Sequence, residues 1–188
     1  MGLGQSMITV LFFALLTIMF LNAISLLNKA DQELLIVATS KTATDLGQSL
    51  MSEILTKRFD ENSDSTTVQK SVTAFTAAGS LGTDATESFT LPDRYPFKSI
   101  SKYDDVDDYN HYSRLIDSTH AQGIFHDSAI VYYVQMTNPP TSYSDKWWTK
   151  RVEVWVTNEP YMVDTNKTTG VPYHKWLKFY SIVTNTKK

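Results

Sequence analysis

Met7–Leu27 reads MITVLFFALLTIMFLNAISLL, a run without a charge in which only Thr9, Thr17, Asn22 and Ser25 are polar. A helix that crosses the hydrocarbon core of a bilayer needs about 20 such residues, so this stretch has spanning length. Residues 1–28 carry no Asp, Glu, Lys or Arg, and the first charge of the chain is Lys29. A cleaved secretory signal is the rival reading. Its apolar region is about 7–15 residues long, preceded by Lys or Arg and followed by a small-residue cleavage site. Here the run is longer and nothing basic stands before it. Cytoplasmic Lys or Arg normally orients a new anchor. Either a basic leader has been removed or orientation is set otherwise, since Asp31 and Glu33 dilute Lys29.

Moving outward, Lys29–Glu61 reads KADQELLIVATSKTATDLGQSLMSEILTKRFDE, with no proline and a single glycine, Gly47. Leu46, Leu50, Met51, Ile54, Leu55 and Phe59 recur in steps of three and four, one face of a helix. Glu53 and Lys57 form an i,i+4 pair on the exposed side. The spacing predicts one helix from about residue 5 to 60, on the order of 80 Å long, with Thr39–Thr44 and Gly47 as its weak points. Three segments result: an apolar half at 1–28, an amphipathic half at 29–60, and a head at 61–188.

In the head, Asn62–Thr67 is a polar break and Val68–Ala78 a short helix or irregular piece. Gly79–Gln122, with Gly79, Gly82, Pro92 and Pro96, reads as a long loop. Ser128–Thr137, Arg151–Thr157 and Trp176–Thr184 alternate apolar with polar residues and read as antiparallel strands with one buried face. Asn138-Pro139-Pro140 and Asn158-Glu159-Pro160 mark turns, and Asp164–Pro172 a looser loop. The apolar face of such a sheet needs a cover, for which Leu46–Phe59 is the natural candidate. The fold class expected is α+β, a long N-terminal helix packed against a C-terminal antiparallel sheet.

Net charge is −3 and pI about 5.8, a weak acidic balance that makes no electrostatic case for nucleic acid. The chain has no cysteine, which excludes disulfides, thiolate chemistry and Cys-ligated zinc. There is no GxSxG, HExxH or phosphate-binding glycine loop, so neither catalysis nor a cofactor is expected. His111, His120, His126 and His174 show no ligand spacing. Asp104, Asp105, Asp107 and Asp108 form an acidic cluster, by default a solvated loop and otherwise a Ca²⁺ candidate without EF-hand spacing. Tyr143, Trp147, Trp148, Trp155, Tyr161, Tyr173 and Trp176 make the C-terminal region aromatic, as core or as contact surface. Asn166-Lys167-Thr168 is a glycosylation sequon in an exposed loop.

A helix apolar in its first half and amphipathic in its second, then a loop, then the strands KRVEVWVTN and WLKFYSIVTN, resembles type IV pilins and the pseudopilins of type II secretion. The resemblance implies a pilin-like fold and a subunit of a surface filament. It further implies a precursor in the cytoplasmic membrane, a prepilin peptidase and a pilus assembly machinery as partners. That family's mature helix typically carries Glu at its fifth position. Taking Met1 as the first mature residue places Gln5 there, and cleavage after Gly4 places Thr9 there; the first alignment is preferred. Either way the acid is missing. Gln5 can accept a hydrogen bond from a neighbour's terminal amine without neutralising it.

The assembly residues expected are Gln5, Met7, Val10, Leu11, Phe12, Phe13, Leu15, Leu16, Ile18, Met19, Phe20, Leu21, Ile24 and Leu27. Outside lipid they must be covered by other chains, and a heterologous contact repeated by a screw operation gives an open filament of identical subunits. The alternative is a single-pass membrane-anchored extracytoplasmic binding module. Adhesion, motility, DNA uptake and secretion roles are not separable at this level.

Overall fold

The computed structural model describes residues 2–63, 71–117, 122–137 and 141–185. It divides into two compact units, Met1–Ala38 and Thr39–Lys188. A single helix, α1 (Leu3–Leu55), supplies the regular structure of the first unit and opens the second.

Within the second unit, burial along α1 falls at Thr39, Ala43, Gly47, Leu50, Met51 and Ile54, the three-and-four spacing of one helical face. The face is displaced from the expected one at its end. Leu55 is exposed, α1 stops there rather than near residue 60, and Phe59 joins a separate cluster. Gly47 does not interrupt the helix. The helix continues through it, and a Cβ there would stand 2.4 Å from Cε2 of Phe179 and 3.0 Å from Cγ2 of Val156. Glycine lets the helix backbone lie against the sheet at this point. The threonines of the expected weak stretch are also accommodated, as where the Thr44 hydroxyl donates to the Ser40 carbonyl one turn back.

The cover is a five-stranded sheet: β1 (Asp93–Arg94), β2 (Tyr112–Ile116), β3 (Phe125–Tyr133), β4 (Thr149–Asn158) and β7 (Leu177–Thr184), in that spatial order. β1 runs parallel to β2, and every other pairing is antiparallel. A separate hairpin joins β5 (Val163–Thr165) to β6 (Pro172–His174). The registers Ala129↔Val154 and Val131↔Val152 stack small β-branched and apolar side chains beneath α1, where Leu50 and Ile54 are fully buried. A second cluster gathers Phe59, Phe75, Leu81 and Tyr133, with Tyr143, Trp147 and Trp148 packed against it.

Long helix against a mostly antiparallel C-terminal sheet is the α+β arrangement read from the sequence. Two details differ. The stretch read as a loop carries β1, the short helix α2 (Ser99–Lys102) and β2. β2 hides from pattern reading because its inward positions are Tyr112, Arg114 and Ile116, so an ionic residue sits where alternation asks for an apolar one. β4 is buried on both faces: Val152, Val154 and Val156 point to the core, while Arg151 and Glu153 are covered on the other side by their own pairing and by Lys178. The Asn138-Pro139-Pro140 turn and part of the Val68–Ala78 piece lie outside the described residues.

Candidate functional site

The large apolar side chains described from Met7 to Leu27 are all exposed. Met7, Val10, Leu11, Phe12, Phe13, Leu15, Ile18, Met19, Phe20, Leu21 and Leu27 are each about three-fifths exposed, Leu16 is half exposed and Ile24 39 % exposed. The Gln5 side chain lies outside the described residues. No acidic residue occupies the first turn. The helix is long and apolar enough to cross a membrane by length and composition. Apolar exposure does not stop where the charges begin. Leu34, Ile36 and Val37 are exposed after Lys29, Asp31 and Glu33, and the unit boundary falls at Ala38, beyond the change of composition at residue 28. In the sequence this shows as the apolar run LLIV at 34–37, of which Leu35 is half-buried and the other three residues are exposed.

The packed part of α1 is held by a buried ionic network that replaces the expected surface pair. Glu53 does not meet Lys57. Its Oε1 accepts from the Ser99 hydroxyl at 2.8 Å and the Tyr109 hydroxyl at 2.7 Å, and its Oε2 lies 3.3 Å from Nη1 of Arg114. Lys57 Nζ instead donates to the carbonyls of Ile100 and Tyr103. Arg114 also donates from Nε to Asp127 at 2.9 Å and from Nη2 to the Leu46 carbonyl, and stacks on Phe97. A guanidinium serves here because its fork satisfies two carboxylates and a carbonyl at once.

The acidic cluster is not a solvated loop. Asp105, Asp107 and Asp108 are buried, and only Asp104 stays exposed, paired with Arg58. Asp105 Oδ1 accepts from the amides of Asp107 and Asp108, and Asp108 Oδ2 accepts from those of Asp104 and Asp105. Asp107 turns away to Lys150, its Oδ1 2.7 Å from Nζ. The four expected ligands therefore do not converge as one set. The carboxylates that do approach one another are Glu61 with Asp104 and Asp105, and Glu87 with Asp104 and Asp108. Burial, and next the charge and hydrogen-bonded carboxyl of Asp107, push Asp105 up to about 9. Burial, and next a hydrogen bond with Glu87, push Asp108 up to about 8.

The remaining residues singled out from the sequence are dispersed. His111, in a left-handed conformation, His126 beside Glu159, and His174 share no site, and His120 lies outside the described residues. Tyr143, Trp147 and Trp148 are core packing, Trp155 is half-buried under Lys178, and Tyr173 and Trp176 are about half exposed. Asn166 is exposed in the β5–β6 loop, its Oδ1 accepting from the amides of Thr168 and Thr169. Tyr161 is half-buried, its amide donating to Oδ1 of Asn158.

The arrangement can do two things chemically: present a large apolar surface along one helix, and hold a buried cluster of acids around one lysine. The long apolar helix and C-terminal sheet are compatible with a pilin-like layout, and no family model, curated protein or solved structure matches the chain.

Proposed function

We propose that the chain is the structural subunit of a type IV pilus-like extracellular filament, polymerising through its apolar helix. The observation that carries this reading is the exposure of the large apolar side chains of α1 from Met7 to Leu34 and at Ile36 and Val37, against the covered face from Thr39 to Ile54. Full burial of one such Leu, Ile or Phe side chain contributes about 1.5–3 kcal/mol, so the uncovered residues together supply a large drive toward lipid or toward copies of the chain. Lipid alone covers about 20 residues. Leu34, Ile36 and Val37 follow three charged positions past the Met7–Leu27 span, and neighbouring helices in a bundle are the cover that reaches them.

In this reading the membrane holds the precursor, Met7–Leu27 later forms the filament's central bundle, and a peptidase and an assembly machinery act between the two states. The test is negative-stain microscopy of a fraction sheared from the cell surface, with mass spectrometry of its N-terminal peptide. Fibres containing this chain are expected, and the peptide gives the mature first residue. A chain recovered solely as protomers in detergent-solubilised membrane, with no fibres in the sheared fraction, would instead mark an anchored extracytoplasmic module.

A further inference from the structure

Lys150 is the one lysine of β4, and its side chain is completely buried. Its Nζ lies 2.7 Å from Oδ1 of Asp107, 3.0 Å from Oδ2 of Asp60 and 2.7 Å from the Phe59 carbonyl, under the rings of Phe59 and Tyr133. The Asp60 side chain is fully buried and that of Asp107 nearly so. One ammonium thus faces two carboxyl groups in a buried pocket. Burying such a set is costly, and a single ion pair with good hydrogen bonds would suffice if the role were packing alone.

The two carboxyls are held differently. Asp60 accepts from the amides of Thr76 and Asn62, from the Thr76 hydroxyl and from the Tyr133 hydroxyl. Burial pushes its carboxyl up, but Lys150 and these donors together outweigh that and hold it below the ordinary range, as an anion. Asp107 is bound to Lys150 on one side and shares a hydrogen bond with the Asp105 carboxyl on the other. Asp105 in turn takes two backbone amides on Oδ1, which fixes its orientation toward Asp107.

We propose that Lys150 and Asp107 condense within the folded head to an intramolecular amide, with Asp60 as base and Asp105 as acid. Asp60 takes a proton from Nζ, and the free amine attacks Cγ of Asp107. Asp105 protonates the departing oxygen, the C–O bond breaks and water leaves. The leaving water carries the Asp105 proton and a second proton lost by the nitrogen, one hydrogen stays on the amide nitrogen, and the proton held by Asp60 passes to Asp105. Asp60 and Asp105 end as they began, anion and acid, so atoms and charge balance without a co-reactant.

Two physical terms favour the step. Amine and carboxyl are already in contact, which replaces a bimolecular encounter with a positioned one. The product removes one positive and one negative charge from the interior, and with them the cost of keeping both desolvated. The bond would close the stretch between Asp107 and Lys150, tying the acidic segment to β4 in a head that has no cysteine for disulfides. It stands independently of the filament reading, because every group involved belongs to the second unit.

The test uses the full chain, folded in detergent, then denatured and weighed intact. A mass lower than the sequence mass by one water is expected, with trypsin no longer cutting after Lys150 and a branched peptide joining the segments that hold Asp107 and Lys150. The full sequence mass overturns the proposal. So does a water loss confined to a linear peptide, as a cyclised aspartyl backbone gives, or a branch at Asp60. Lys150→Arg and Asp107→Ala should keep the full mass, but each disturbs a buried charge set and can fail to fold. Asp105→Asn avoids that difficulty: its amide oxygen still accepts both backbone amides, yet it has no acid proton to give. Water loss followed in time after refolding should slow by about 100-fold in this variant. An unchanged rate overturns the acid role.

Discussion

One helix contains two regions with the same backbone and opposite surroundings. From Met7 to Leu27 large apolar side chains are exposed all around α1, whereas from Thr39 to Ile54 one face is buried and the other exposed. Helical hydrogen bonding is shared, so secondary structure does not separate them. Periodicity does. A stretch apolar on all sides has no face to give to its own domain and has to be surrounded, by lipid or by chains. A stretch apolar every third and fourth residue can be covered by a single sheet, and β2, β3, β4 and β7 provide it. Length alone would have assigned both halves one role.

The sharpest way to break the comparison is a charge in the uncovered half. Leu15→Asp places a carboxylate at mid-span, which costs about 2.5–3.5 kcal/mol on insertion scales and far more in a packed bundle without a partner. Loss of fibres is expected, while the melting temperature of the head is unchanged. Normal fibres would refute the bundle. Val37→Asp refines this, since residue 37 stands past a bilayer's reach from Met7. Fewer fibres with unchanged membrane retention support chain–chain cover there; an unaffected fibre yield argues for lipid as the sole cover.

The reverse lesion lies in the covered half. Arg114 is 3 % exposed and stands between Glu53 and Asp127. Arg114→Ala leaves both carboxylates buried and unpaired, an expected loss of about 3–5 kcal/mol in denaturant unfolding of the head. Partition into membrane should not change. Equal effects of Leu15→Asp and Arg114→Ala on head stability would dissolve the distinction between the two units.

A gentler probe of the covered half is pH. Asp105 and Asp108 hold their protons in the folded head up to about 9 and about 8, against an ordinary value of 3.8. Between roughly pH 4 and pH 8 the unfolded chain has lost these protons and the folded head has kept them, so the unfolded state binds fewer and stability falls as pH rises. Their contribution is complete below about pH 4 and is lost as pH climbs through 8 to 9. Thermal melts from pH 5 to pH 9 should show a decline that Asp108→Asn reduces. A melting temperature rising over that range would contradict the buried, protonated cluster.

How much was legible follows from the same physics. The uncharged run, the helix and the three long strands announce themselves because each obeys a period of one residue type. The ionic core does not, because Arg114, Asp107, Asp127 and Lys150 look like surface residues until their partners are known, and those partners lie tens of positions away in the chain. Glu53 was read as half of a local pair for that reason: i,i+4 geometry is visible in sequence, whereas Ser99, Tyr109 and Arg114 are brought to it only by folding. The acidic cluster misleads in the same manner, since four Asp in five residues suggest solvent until burial assigns each a backbone amide or a cation.

The smallest effect expected is also the finest resolution of the comparison, one residue wide. Ile54 is fully buried against the sheet, and Leu55, next in the chain, is 45 % exposed. Rotation of about 100° per residue carries one side chain into the core and the other toward solvent, where it borders a recess with Phe179 and Tyr180. Ile54→Ala should cost about 2–5 kcal/mol through lost burial and the cavity left behind. Leu55→Ser should stay within about 0.5 kcal/mol, although the sequence places both residues on the same apolar face. Urea unfolding of the two variants side by side decides it. Similar losses would mean that Leu55 is covered in the working protein, and since residues of its own head leave it open, the cover would have to be another copy of the chain.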